Sequence, residues 1–207
     1  MQALARLFSA HVAGAGSRTV VLGHGLGTDQ TCWAHHVGIL VAAGYRVITF
    51  DFAGATPHTA DVFVSGHYHR LNDFAGDLVA LLQALEVDNA TYVGHSMGGM
   101  IATAVAASFP ELISQVILLD SVGLVTGAEQ DTVSQLRKAV LSRQKRLDKR
   151  KPQYPDLTSA ATARQAQSDF DLATALLLAE RGTVPDGDTL TWSADLRLRE
   201  VSAYRLS

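Results

Sequence analysis

The sequence predicts an α/β fold: a mostly parallel sheet covered by helices on both faces, with a helical region appended. Three observations predict it. Apolar runs alternate with amphipathic segments in the order strand, helix, strand, helix, strand, helix, strand. The central runs are apolar throughout instead of alternating, as in strands buried on both faces. Two of them end in glycine-rich turns, and open parallel sheets bind ligands at the carboxyl ends of their strands.

Composition sets the limits. The 207 residues are 47% hydrophobic and 18% charged, enough for a sizeable core. A net charge of -3 argues against general nucleic-acid binding. The one cysteine, Cys32, excludes an internal disulfide and a Cys-x-x-Cys site. Arg6 interrupts the apolar N-terminus and no basic region precedes it, so no signal peptide is expected. No run approaches a membrane span. The expectation is a cytoplasmic protein with no membrane partner, no metal and no cofactor.

Taken in order, Phe8–Val12 alternates and reads as an opening strand, and residues 13–17 are turn chemistry. Thr19–Leu22 is a buried strand ending in Gly23-His24-Gly25-Leu26-Gly27. A strand ending in this way exposes backbone N–H groups that can hold an oxyanion. The run is not Gly-x-Gly-x-x-Gly, so it gives no dinucleotide site. From Cys32 to Ala43 the spacing predicts a helix with Trp33, Val37, Leu40 and Val41 on one face and Gly44 just past its end. Arg46–Asp51 is the next buried strand. The loop beyond it holds His58, His67 and His69, with no third ligand at a spacing suited to a metal. Asn72 reads as the cap of a helix that buries Phe74, Leu78, Leu81, Leu82 and Leu85.

The organising stretch follows. Thr91-Tyr-Val-Gly-His-Ser-Met-Gly-Gly99 is a strand ending in Gly-x-Ser-x-Gly and opening a small-residue helix, the pattern of a nucleophile elbow. The sharp strand-to-helix turn leaves Ser96 on an exposed tip. The helix N-terminus behind it favours negative charge there. A short helical turn at Phe109–Ile113 and a buried strand at Gln115–Asp120 complete a core over residues 1–124. Residues 125–207 read as a helical lid. They comprise a basic helix from Thr132 to about Lys151, a linker bounded by Pro152 and Pro155, and helices near 158–167 and 169–181, with Ser168 capping the last. Val133, Leu136, Val140 and Leu147 mark one side of the basic helix. Its charges read as a solvated face, with an anionic partner as the alternative.

Residues Leu22-Gly-His-Gly-Leu-Gly-Thr-Asp-Gln-Thr-Cys-Trp33, Tyr45-Arg-Val-Ile-Thr-Phe-Asp51 and the elbow resemble the α/β-hydrolase fold superfamily. They are most similar to the small serine hydrolases of the bacterial stress-response regulator and the strigolactone/karrikin receptors. Ala179-Glu-Arg-Gly182 and Trp192-Ser-Ala-Asp-Leu-Arg-Leu198 look like the lid end of the serine hydrolase-like proteins. The resemblance implies Ser96 as nucleophile and the N–H groups of Leu26 and Met97 as the oxyanion hole. His24, Gly25 and His95 are then substrate contacts, with His95 an elbow residue and not the base.

The family order is Ser, acid, His. Here all eight histidines lie at or before His95, and the last strands that carry the acid and the histidine are missing from residues 1–207. Asp120, at a strand end, is the fallback acid. The expected function is hydrolysis of a small ester or lactone through a Ser96 acyl-enzyme, weak or absent as the chain stands. The alternatives are a non-catalytic ligand-binding or signalling module, and a fold that a partner completes. A sheet edge left unpaired is also a route to association.

Overall fold

The computed structural model describes residues 2–60, 62, 71–123, 126–147 and 149–202. A short helix α1 (Gln2–Leu7) leads into strand β1 (His11–Ala13). Phe8, expected in the opening strand, is instead folded under it and is buried, while Ser9 turns the chain at φ +48°. The sheet continues with β2 (Arg18–Gly23), β3 (Tyr45–Thr49), β4 (Ala90–His95) and β5 (Ile113–Leu119) in the order β1-β3-β2-β4-β5. Every pair is parallel except β1 with β3.

Adjacent residues of β2 face opposite sides, so each face builds its own core. Val21 joins Ile48, Phe50, Phe52 and Tyr92 beneath the helices α3 (Leu71–Ala84) and α4 (Met97–Ser108). Val20, Leu22 and Val47 meet Trp33, Val37, Leu40 and Val41 on the other face. Those last residues lie on a 3-10 turn (Gln30–Trp33) and helix α2 (Ala34–Ala42), on the face their spacing predicts. Burying each large side chain stabilises the fold by roughly 1.5–3 kcal/mol. The α3 stripe of Phe74, Leu78, Leu81 and Leu82 is buried as expected, but Asn72 lies inside the helix and not at its cap.

Strand β5 departs from its expected burial. Ile117, Leu118 and Leu119 are exposed. Among the described residues β5 pairs only with β4, so it stands at the edge of the sheet. An apolar run reports the propensity to be buried, and the neighbour that does the burying has to be supplied.

Residues 126–202 contain three helices and a small sheet that sequence reasoning missed. Helix α5 (Thr132–Leu147) is followed by β6 (Gln153–Tyr154), α6 (Leu157–Gln165), α7 (Leu172–Gly182), β7 (Thr183–Asp186) and β8 (Thr189–Trp192). The antiparallel order β6-β8-β7 places a strand where a Pro-bounded linker was expected. Asp156 and Asp171 cap α6 and α7 by accepting from the N–H groups of Ser159 and Thr174. Ser168 is therefore not the cap. The two helices approach closely through Ala160, Ala161, Ala175 and Ala179. The apolar side of helix α5 is not its buried side: Val133, Leu136 and Val140 are exposed, whereas Gln135 and Ala139 are buried. The inward stripe is held by Gln135, whose Nε2 donates to the Ser202 carbonyl at 2.5 Å, and by the ion pair of Arg146 with Glu200.

Candidate active site

The elbow forms where β4 meets α4. Ser96 has φ 49° and ψ -118°, a sparsely populated backbone region for a non-glycine residue. Its N–H donates to the Leu119 carbonyl at 3.0 Å, which fixes the tip against β5. Its side chain makes no capping hydrogen bond. The helix starts at once, and the Ser96 carbonyl accepts from the N–H groups of Gly99 and Met100.

The two glycine-rich motifs meet in space. A Cβ placed on Gly25 would lie 2.5 Å from His95 Nδ1 and 3.2 Å from Ser96 Cβ. A Cβ on Gly98 would lie 2.6 Å from the His24 carbonyl and 2.7 Å from that of Gly23. Only glycine allows this approach, which seats the loop after β2 against the N-terminus of α4. Among the described residues, the N–H groups of Leu26 and Met97 donate to no protein acceptor.

His24 sits beneath this loop and is 1% exposed. Its Nε2 accepts from the Phe52 N–H at 2.9 Å, and Nδ1 lies 2.8 Å from the Gly25 carbonyl. That pattern fits the neutral ring with its proton on Nδ1. Burial lowers its pKa, outweighing the opposing pull of Asp51. With both ring nitrogens engaged within the fold, His24 shapes the loop.

An open cleft of about 430 Å3 is lined by Ser96, Met100, Asp120, Ser121 and Val122. Asp120, at φ +48°, follows the residue that pairs with His95 across the sheet. Ser96 and Asp120 therefore share one cleft. His58 is exposed on a 3-10 turn (Pro57–Thr59), and His67 and His69 lie outside the described residues. Among the described residues no cluster of His, Cys, Asp and Glu could hold a metal, and no helix is long and apolar enough to cross a membrane.

Sequence reasoning missed an ion network beside the site. Arg181 of α7 donates to both carboxylate oxygens of Asp51, at 3.0 and 2.6 Å, and to Asp29 at 3.1 Å. Asp51 also accepts from the Gln30 N–H, and Asp29 from the Thr31 N–H. Burial alone would raise the Asp51 pKa; the bonds from Arg181 and Gln30 outweigh it and hold the carboxyl below its ordinary range. The two carboxylates thus tie the segment after the glycine-rich loop to α7. The signal was present in part, since the sequence places Asp51 at the carboxyl end of a strand (it lies two residues beyond β3), but its partner lies 130 residues away.

A family model described as the alpha/beta hydrolase fold matches residues 18–198. The chain is 41% identical over 121 residues to the karrikin insensitive 2 receptor IA of Petunia hybrida, covering 58% of this chain and 44% of that one. It is 41% identical over 142 residues to a probable esterase of Oryza sativa subsp. japonica, covering 65% and 52%. The chain thus spans about half the length of these curated relatives. A solved structure, the hypothetical protein PA1622 from Pseudomonas aeruginosa PAO1, superposes with a TM-score of 0.83 at 30% identity, over 96% of this chain and 69% of that one.

Proposed function

The chain belongs to the α/β-hydrolase fold family, and we propose that residues 1–207 carry the nucleophile and oxyanion cradle of a serine hydrolase for a small ester or lactone. The observation that carries this reading is the strained Ser96 backbone at the head of α4, packed against the Gly25 loop. Ser96 Oγ attacks the acyl carbon. The carbonyl oxygen becomes an oxyanion that accepts hydrogen bonds from the free N–H groups of Leu26 and Met97, with the α4 dipole behind them. Collapse breaks the bond from the acyl carbon to the alkoxy oxygen, which takes the Ser96 hydroxyl proton by way of water and leaves as the alcohol; the ester left on Ser96 is then hydrolysed by a second water. Residues 126–202 serve as the lid, latched through Arg181.

Proton transfer is the weak point. No histidine follows Ser96 in residues 1–207. Asp120, in the same cleft, is the carboxylate best placed to orient a proton acceptor. Losing a triad histidine can cost on the order of 10⁶ in kcat, leaving roughly 10³–10⁴ over water from the oxyanion hole and binding. Turnover by residues 1–207 alone is accordingly slow. A second reading, a ligand-binding module without turnover, draws on the receptor name of the Petunia relative.

Labelling by a fluorophosphonate probe separates the two. The hydrolase reading expects one covalent adduct, lost in Ser96→Ala. A folded chain that binds ligand but takes no label supports the second reading.

A further inference from the structure

Two arginines converge on the glycine-rich loop after β2, and among the described residues no acid pairs with either. Arg164, in the last turn of α6, points Nη2 at the Gly27 carbonyl at 3.4 Å, a long contact. Its guanidinium lies over the Phe170 ring, 5.6 Å from the centroid. Its Nε is buried with no hydrogen-bond partner. Arg199, on a 3-10 turn (Leu196–Arg199), brings Nη2 to 3.9 Å from where a Gly27 Cβ would stand. Among the described residues neither arginine has a carboxylate within ion-pair distance. Burial, and then the charge of Arg199, lower the pKa of Arg164, so the pair is electrostatically unfavourable as it stands. Arg181, nearby, is satisfied by Asp29 and Asp51.

A buried N–H donor left unpaired costs free energy, and two neighbouring cations repel. An anion between them would answer both. A guanidinium's fork suits a carboxylate. Gly27 lies two residues beyond Gly25, which touches Ser96, so the loop between them spans at most about 7 Å. We infer that Arg164 and Arg199 bind a carboxylate carried by the molecule whose ester reaches Ser96, so that the ligand of this site is an ester that also bears a free carboxylate, of which a half-ester of a dicarboxylic acid is the simplest case. This rests on the reading of Ser96 given above.

Calorimetric titration of monoethyl glutarate against diethyl glutarate tests the inference, because the two differ in one charge. The half-ester is expected to bind at least about tenfold more tightly, the worth of a charge-assisted hydrogen bond. That preference should fall below about twofold in Arg164→Gln and in Arg199→Gln. Arg199 is exposed, so its variant keeps the test open if the half-buried Arg164 variant fails to fold. Equal binding of the two esters, no binding of either, or a preference that survives both substitutions overturns the assignment. Inorganic phosphate bound with the same arginine dependence, while the half-ester is not, overturns it in favour of a free anion. Fluorophosphonate labelling of the same samples reports on Ser96 independently, so failure of the anion site and failure of the nucleophile are told apart.

Discussion

Tyr92 is fully buried in β4, and among the described residues its hydroxyl has no hydrogen-bond partner. An unsatisfied buried hydroxyl costs about 1–3 kcal/mol, whereas its ring contributes apolar packing to the core. Tyr92→Phe removes the cost and keeps the packing. The expected outcome is a melting temperature unchanged or raised by about 2–4 °C per kcal/mol gained; a fall would mean that the hydroxyl is paired in solution. The same hydroxyl explains Gly23, since a Cβ there would collide with it. Ser96 and Gly25 were legible in the sequence because their motifs encode a backbone shape. That both ring nitrogens of His24 are engaged was not legible, because the Phe52 N–H that one of them accepts from lies 28 residues away. Its lowered pKa has a consequence: the folded state holds it neutral while the unfolded chain takes up a proton below about pH 6.5. Stability therefore begins to fall as pH drops through that value, and His24→Gln should flatten that part of the curve in thermal melts.

At the scale of elements, two contacts place the loop after β2. The first is its seat on α4. Gly98→Ala forces a Cβ against two backbone carbonyls, which cannot move as a flexible side chain would. The expected cost is about 1–3 kcal/mol, read as a lowered melting temperature, together with slower labelling of Ser96. An unchanged labelling rate would separate the loop from the nucleophile. The second contact is the Arg181 latch. Arg181→Met strands two buried carboxylates and is expected to destabilise by about 3–5 kcal/mol at pH 7. The sign of its pH dependence is set by Asp51. In the native chain its depressed pKa supplies stability that is present above about pH 4 and lost as pH falls through the folded value. Without Arg181, burial raises that pKa, so protonation relieves the variant. Denaturant melts should show the two proteins converging as pH is lowered; a constant gap would contradict the latch. The helices of the core were legible because their large apolar residues recur at helical spacing. Helix α5 was not: it buries Gln135 and Ala139, and a small residue gives the pattern no weight.

At the largest scale, the described residues present an edge and a stripe. Strand β5 exposes Ile117, Leu118 and Leu119, and Val122 beyond it is 88% exposed. Helix α5 adds Val133, Leu136 and Val140. Exposed apolar surface next to an unpaired strand edge favours association. Sedimentation of the 207-residue chain is expected to show concentration-dependent self-association that Ile117→Lys with Leu119→Lys abolishes. A monomer at every concentration would remove this expectation. The central strands could be read from their apolar runs, but which strand stands at the edge depends on what lies beside it, and local sequence does not carry that information.

The central claim is that Ser96 acts as a nucleophile within this scaffold. The most direct measurement is intact mass of the acid-quenched chain after mixing with p-nitrophenyl acetate, with the adduct mapped by peptide digestion. If the N–H groups of Leu26 and Met97 hold the oxyanion as proposed while proton transfer is weak, acylation by this activated ester should outpace deacylation, and one acetyl group should accumulate on Ser96 and vanish in Ser96→Ala. A chain that is folded by thermal melt yet takes up no acetyl group, or takes it up elsewhere, would contradict the account.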